Sequence, residues 1–373
     1  MMMARSVRTA FLASLLLVDC QRATPSPFPP MDLNQPFKTH CVGRMLIDLP
    51  EEIRQYPDSL PGGYVKLFYG LDKNFRTVDV IVPEQRQPEV EPTLLREKFE
   101  QAVRERQDEL RAKLNEKTKA PMLVSSRPVG ENGVLIRRYE SAQLGDVFVS
   151  ELHLLADGIR YVVFGAAIYP IGGMYGEDGE TAEVVESRLK NLAANTRAYI
   201  NAESAGPGFC VDGVVLNDKH DDERGKFEFG SSFHKDVGFD IYTEALTEQD
   251  EGLHARAAER MAGAPAGFWA GFHTLRKGIR QVAGMQAEES LHDFTEQKVK
   301  QQLFVVETWR DLPAYEQPSM QMRMSTGGQL NTGEYVSTSL NNDDAVRLWD
   351  KIVNSIRVRP GAVGPSGKAM TKR

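Results

Sequence analysis

Phe209-Cys210-Val211-Asp212-Gly213-Val214-Val215-Leu216 follows the break Gly206-Pro207-Gly208. It opens a second unit much as Cys41-Val42-Gly43-Arg44-Met45-Leu46-Ile47-Asp48-Leu49-Pro50 opens a first. The offset from Cys41 to Cys210 is 169 residues. Working outward, each opening is followed by strand patterns, a middle helix, more strand patterns and a closing helix, so the chain reads as a weak internal repeat. In the first unit Met45, Ile47 and Leu49 alternate against Arg44 and Asp48, as a half-buried strand does. Tyr64 to Tyr69 and Thr77 to Val82 continue as strands. Pro92 to about Lys117 is expected as an amphipathic helix, with Leu95, Phe99, Val103, Leu110 and Leu114 at helical spacing. Val134 to Ser141 and Val147 to Ala156 alternate again. Asp157-Gly158 is a two-residue hairpin signal into Arg160 to Ala167, and a helix from about Glu180 to Tyr199 closes the unit.

The second unit repeats the plan with a helix at Glu251 to Met261, strands at Gln302 to Asp311 and Ser319 to Met324, and a closing helix from Asp343 to about Ser355. Strand runs joined by short turns, with helices at fixed places, predict an α+β fold of two similar domains, each an antiparallel sheet with a middle and a closing helix. The boundaries that follow are a signal segment at 1–19, a proline-rich spacer at 20–37, domains at 38–203 and 207–358, and a disordered tail at 359–373. A length of 373 residues, with 41% hydrophobic and 26% charged content, suits two domains better than one core.

The formal charge is −7, from 45 basic against 52 acidic residues, which argues against a nucleic-acid binder. Arg5 and Arg8 precede an apolar run from Thr9 to Val18 that is too short to span a bilayer and reads as a secretory signal. The run ends Leu17-Val18-Asp19-Cys20, similar to a lipobox except for the charged Asp19. Lipidation of Cys20, simple cleavage and an uncleaved anchor therefore all stay open. Thr24-Pro25-Ser26-Pro27-Phe28-Pro29-Pro30 is expected to tether the folded part at a distance.

Signatures of catalysis are sparse. There is no G-x-S-x-G elbow, and the seven histidines form no pair at metal-ligand spacing, so neither a cofactor nor a metal is expected. Asn217-Asp218-Lys219-His220-Asp221-Asp222-Glu223-Arg224-Gly225 is the most unusual segment. A solvated hairpin tip is its ordinary reading. A protein-facing acidic knob is the functional one, because clustered carboxylates steer basic partners, and it makes Asp218, Asp221, Asp222 and Glu223 the candidate interface. Met320, Met322 and Met324 alternate as core. Phe268, Trp269 and Phe272 read as loop anchors on the core or as aromatics shown to a partner. Cys41 and Cys210 stand at matching positions in an exported chain. They either pair or serve as small buried hydrophobes.

Together with the two openings, Leu275-Arg276-Lys277-Gly278-Ile279-Arg280-Gln281-Val282-Ala283-Gly284 resembles the two-domain immunity proteins that neutralise phospholipase effectors of the bacterial type VI secretion system, over roughly residues 38 to 358. The resemblance implies a periplasmic inhibitor, monomeric before it meets its partner, that occludes a toxic lipase and is itself no enzyme. Two other classes stay open: an envelope lipoprotein that binds a small ligand or lipid, and a hydrolase whose site carries no recognisable signature.

Overall fold

The computed structural model describes residues 23–55, 65–70, 76–83, 92–173, 179–245, 251–263, 271–309, 315 and 317–363. The signal segment with Cys20, the loop aromatics Phe268 and Trp269, and residues 364–373 lie outside them.

The first half begins with a hairpin, β1 (Phe37–Val42) and β2 (Met45–Pro50), then β3 (Arg54–Gln55), β4 (Val65–Phe68), β5 (Thr77–Ile81) and helix α1 (Pro92–Ala112). It continues with β6 (Leu123–Val129), β7 (Gly133–Tyr139), β8 (Phe148–Ala156), β9 (Arg160–Ile168), helix α2 (Ala182–Ala194) and β10 (Thr196–Ala198). The second half begins with the hairpin β11 (Phe209–Val211) and β12 (Val214–Leu216), then β13 (Asp222–Gly230), β14 (Val237–Glu244) and helix α3 (Leu253–Ala262). Then come β15 (Phe272–Val282), β16 (Met285–Glu296), β17 (Val299–Trp309), β18 (Ser319–Thr326), the short β19 (Gly328–Gln329) and β20 (Tyr335–Val336), helix α4 (Asn342–Ser355) and β21 (Arg357–Val358).

Thirteen of the described strands form one antiparallel sheet, in the order β15-β16-β17-β18-β14-β13-β4-β5-β9-β8-β7-β6, with β3 paired to β13. Read outward from the central β13–β4 pair, the two sides follow the same path, two strands and then four consecutive hairpin strands. The small sheets follow suit, each joining the opening hairpin of one half to the closing strand of the other: β10-β12-β11 and β21-β2-β1. Instead of two separate sheets there is one, and a single buried cluster runs through both halves, from Leu67 and Phe164 to Phe304 and Trp349.

Local sequence explains most boundaries. Asp157 and Gly158 take positive φ values of 46° and 76°, the backbone of a tight hairpin that Asp and Gly tolerate. Helix α1 stops at Ala112, short of the expected Lys117, because buried Asn115 turns the chain. Its amide donates to the carbonyls of Ser141 (3.1 Å) and Leu144 (2.7 Å) while its oxygen accepts from the backbone of Lys117 (3.0 Å) and Thr118 (2.8 Å). Helix α2 also ends early, and Thr196–Ala198 leaves it to pair with β12. Helix α4 is capped by Asn341, whose side chain accepts from the Asp344 amide at 2.9 Å. It buries Ala345, Leu348, Trp349, Ile352 and Val353 at steps of three and four.

Two segments pack more tightly than the sequence implies. In the spacer, the Thr24 amide donates to the Lys298 carbonyl at 2.8 Å and Met31 is buried in the main core, so this stretch lies against the second half. At the other end Arg359 and Ala362, expected in the tail, are buried: Arg359 N donates to the Arg44 carbonyl at 2.9 Å. Met320, Met322 and Met324 are core as expected, and the Phe272 ring stacks on Phe294 at 4.4 Å, within the β15–β16 pair.

Candidate partner-binding face

The acidic segment is not a solvated tip. From Asp222 onward it is the central strand β13, hydrogen-bonded to β4 on one side and β14 on the other. Asp222 is 0% and Glu223 1% exposed, which removes both from any direct contact with a partner. Glu223 accepts from Arg44 Nε (2.6 Å) and Nη2 (2.8 Å), and His220 Nε2 lies 2.8 Å from its second oxygen. Arg44 also donates from Nη1 to the Ala362 carbonyl at 2.6 Å, and its guanidinium lies over the Tyr315 ring, 4.8 Å from the centroid. Burial alone would raise the Glu223 carboxyl, but the His220 hydrogen bond and the Arg44 charge outweigh it and hold it below the ordinary carboxylate range. Asp218 and Asp221 are half-buried and bond to the first half. Tyr69 Oη donates to Asp218 (2.9 Å), and the Gly70 amide donates to Asp221. The carboxylates of Asp218, Asp221 and Glu223 thus brace the meeting of the two halves, and Asp222 joins it through its backbone pairing with Phe68. A cluster of like charges resembles an exposed knob in sequence, and only the distant Arg44 reveals the buried pairing.

The third resembling segment is structural in the same way. Arg276 and Arg280 of β15 converge on Glu289 of β16 (Arg276 Nε at 2.6 Å) and on Asp350 of α4, while Trp349 Nε1 donates to Glu289 at 2.7 Å. This network fastens the closing helix to the sheet.

Side chains alternate across the sheet, so its two faces can be separated. One face lies under α2, α4 and the two small sheets and supplies Leu67, Val80, Phe164, Phe227, Phe239, Met322 and Phe304 to the core. The opposite face is covered at its flanks. Helix α1 lays Phe99 and Val103 on Leu155 and Tyr161, and Arg106 on Glu151 at 2.7 Å. Helix α3 packs on β16, with His254 Nε2 against the Glu289 carbonyl at 2.9 Å and Arg256 on Glu307 at 2.5 Å. Between these helices, strands β5, β4, β13, β14 and β18 show water a mosaic of both signs. Lys66 pairs with Asp79 at 3.2 Å, Lys226 with Glu228 and Arg224 with Glu244, beside Asp240, Gln321 and Arg323. Tyr242 stands 46% exposed near the middle, with Lys226 Nζ 5.9 Å from its ring centre. At the α3 end this face deepens into a cleft of about 390 Å³ lined by Arg224, Tyr242, Glu244, Arg256, Glu307 and Gln321. Tyr and Arg are the side chains that most often anchor protein interfaces. These residues carried a readable signal: Lys226 and Glu228 flank Phe227, and Gln321 and Arg323 alternate with the three methionines, so the polar set of each strand faces away from the core.

Among the described residues no group of three or more His, Cys, Asp or Glu side chains could hold a metal ion. One histidine does carry a pH dependence. Burial, followed by the charges of Lys38 and Arg54, pushes His40 down to about 4, and its ring meets Phe229 edge-on at 5.2 Å. The folded chain therefore keeps His40 neutral where the unfolded chain would take up a proton. This contribution is present above about pH 6.5, the ordinary histidine value, and is lost as pH falls towards 4. A loss on the order of 2 kcal/mol is expected across that window. Urea unfolding at pH 7 and 4.5 measures it, and His40→Gln should flatten the slope.

Residues 204–361 match the family model described as the Tle cognate immunity protein 4 C-terminal domain. The match spans the second half of the chain, from the end of the first closing helix region to β21. Solved structures extend the likeness along almost the whole length. The apo structure of the type VI immunity protein TplEi from Pseudomonas aeruginosa is 22% identical with a TM-score of 0.61, covering 87% of this chain and 97% of that one. The Tle4–Tli4 complex gives 21% identity and a TM-score of 0.61, covering 88% and 99%. TplEi bound to an "L" peptide gives 20% and 0.57, covering 87% and 98%. At these identities the likeness establishes the fold, and the family match carries the resemblance drawn from the sequence. No curated protein matches the chain.

Proposed function

We propose that this chain is an immunity protein that binds a type VI secretion phospholipase effector and blocks it, sparing the membranes of the cell that makes both. The match of residues 204–361 to the Tle-cognate domain carries this reading. It is supported by the Tli4 neighbour, whose structure is a complex with Tle4. The signal-like Arg5 to Val18 supports action in the periplasm, where such an effector would meet the membrane, and Cys20 would be the point of a lipid tether. No helix of the described residues is long and apolar enough to cross a membrane. We read the two halves as duplicated domains fused through β13 and β4. The open face between α1 and α3 is the surface we assign to the effector. It is broad, polar and aromatic, and occlusion across it requires no chemistry from the chain itself.

The test is to read the neighbouring frames for a phospholipase and to co-express that candidate effector with this chain. The intact chain should restore growth and the leaderless chain should not. Tyr242→Ala combined with Arg323→Glu should weaken inhibition at least tenfold, as loss of an anchor and reversal of a charge do at an interface, while leaving the melting temperature unchanged. Growth arrest despite an exported, folded chain would refute the immunity reading. Full inhibition by the double variant would refute only the face.

A further inference from the structure

The two halves meet along a thin seam. Among the described residues every strand pairing between the halves is short: β13 joins β4 through four residue pairs, Asp222↔Phe68 to Gly225↔Val65, and β3 through two, β10 joins β12 through three and β21 joins β2 through two, whereas β16 and β17 share eleven. Cys41 and Cys210, the matching residues of the two opening hairpins, cross this same seam as a disulfide with their Cα atoms 5.8 Å apart. Beside it Gly43 and Cys210 exchange backbone hydrogen bonds of 3.1 and 2.8 Å. Gly43 has a φ of +62°, and a side chain there would press its Cβ to 2.8 Å from the Phe209 ring, so the two hairpins already lie as close as backbone allows.

Both cysteines are buried, 3% and 0% exposed, and packed among Leu46, Ala202 and Val215. Thiol–disulfide exchange needs an attacking thiolate to reach a sulfur, so the bond cannot readily form or break once the hairpins have closed. It has to be made while the seam is still open.

We propose that this disulfide is a compartment latch: it forms during folding after export, and closing the seam with it makes the chain competent to hold its effector. The partner half of this statement rests on the immunity reading above. The chemistry uses a dithiol–disulfide oxidant of the envelope. One cysteine thiolate attacks the oxidant's disulfide to give a mixed disulfide and a released thiolate. The second cysteine thiolate then displaces the other oxidant sulfur. The chain loses two protons and two electrons, and the oxidant's disulfide becomes a dithiol. In a reducing cytosol the same chain keeps both thiols and lacks the staple, which for so long a loop shifts the folded-to-unfolded ratio by about a thousandfold. The precursor therefore stays easier to unfold for transport, and the seam tightens only where the effector acts.

The test uses the full chain carrying Cys20→Ala, so that Cys41 and Cys210 are the remaining thiols, refolded with oxidised glutathione or with dithiothreitol throughout. Maleimide labelling after unfolding reports the bond. Hydrogen exchange at residues 65–68 and 222–225 reports the seam. Inhibition of the phospholipase effector identified by the co-expression test above reports function. The reduced chain should exchange seam amides at least tenfold faster than the oxidised chain and inhibit at least tenfold less well. Adding Cys41→Ala and Cys210→Ala should reproduce the reduced behaviour under both conditions, which excludes an effect of the reductant elsewhere. Equal seam exchange in the two forms overturns the latch whatever inhibition shows, and so does equal inhibition. If the oxidised chain fails to inhibit while its seam is protected, the immunity reading falls, and the partner half of the proposal with it.

Discussion

Arg44→Ala should destabilise the protein by about 3 to 5 kcal/mol, the cost of leaving one member of a buried ion pair without its partner. Glu223 would remain 1% exposed on the central strand, with His220 as its remaining side-chain donor and no counter-charge from the first half. The same substitution removes the donor to the Ala362 carbonyl and the cation over Tyr315, so the chain end at 359–363 should loosen as well. Arg44→Lys keeps the charge but not the two-pronged geometry on Glu223 and should fall between the two. Removing both charges as Arg44→Met with Glu223→Met should recover most of the loss, because apolar side chains of similar size replace such pairs at little cost. Urea unfolding of the singles and the double closes the cycle. A loss below about 1 kcal/mol for Arg44→Ala would mean that water screens the pair, as it does for surface salt bridges.

The pH dependence carries the same signature. Because the Glu223 carboxyl is depressed in the folded chain, its contribution is complete above the ordinary carboxylate range and disappears as pH falls through its lowered value. In Arg44→Ala the depression is weaker, so less stability remains to be lost on acidification. The acid limb of the variant should therefore be shallower than that of the wild type.

What was legible in the sequence, and what was not, follows from the range of the interactions. The openings at Cys41 and Cys210, the Asp157-Gly158 turn and the apolar stripe of α4 are local patterns, and each appears where its pattern puts it. The α+β class with antiparallel pairing follows from them. The joining of β13 to β4 does not, because nothing near Asp222 records that Phe68, more than 150 positions earlier, will lie beside it. That one pairing turned the acidic segment from a candidate interface into a brace. Strands β6, β15 and much of β16 were hidden for a different reason. They lie toward the sheet's edges and carry Arg127, Arg276, Arg280 and Glu289 where a half-buried strand would show apolar residues, so the period-two signal is diluted by charges that pair with one another or with helix α2. The candidate face was missed because its polar residues look like ordinary solvated positions. Only the placement of α1 and α3 at the flanks shows that, among the described residues, a broad strip between them is left uncovered.

Trp349→Ala should cost about 3 to 5 kcal/mol, the range for deleting a large aromatic from a packed core. Trp349 is fully buried, meets Phe304 edge-on at a centroid distance of 5.8 Å and anchors α4 on the sheet. Its indole also donates to Glu289, and this separates two contributions. Trp349→Phe keeps most of the volume but withdraws the N–H, and should cost about 1 to 3 kcal/mol for the acceptor left short of a partner. Burial by itself raises the Glu289 carboxyl, while Arg276, Trp349 and Arg280 together hold it below the ordinary range. Loss of the indole donor moves it back upward. Stability from a depressed carboxyl is present at neutral pH and lost on acidification, so the phenylalanine variant should show a smaller further loss between pH 7 and 3 than the wild type. If Trp349→Phe matches the wild type at both pH values, the hydrogen bond contributes nothing, and α4 is held by packing and by the bonds of Arg276 and Arg280 to Asp350 and Asn354.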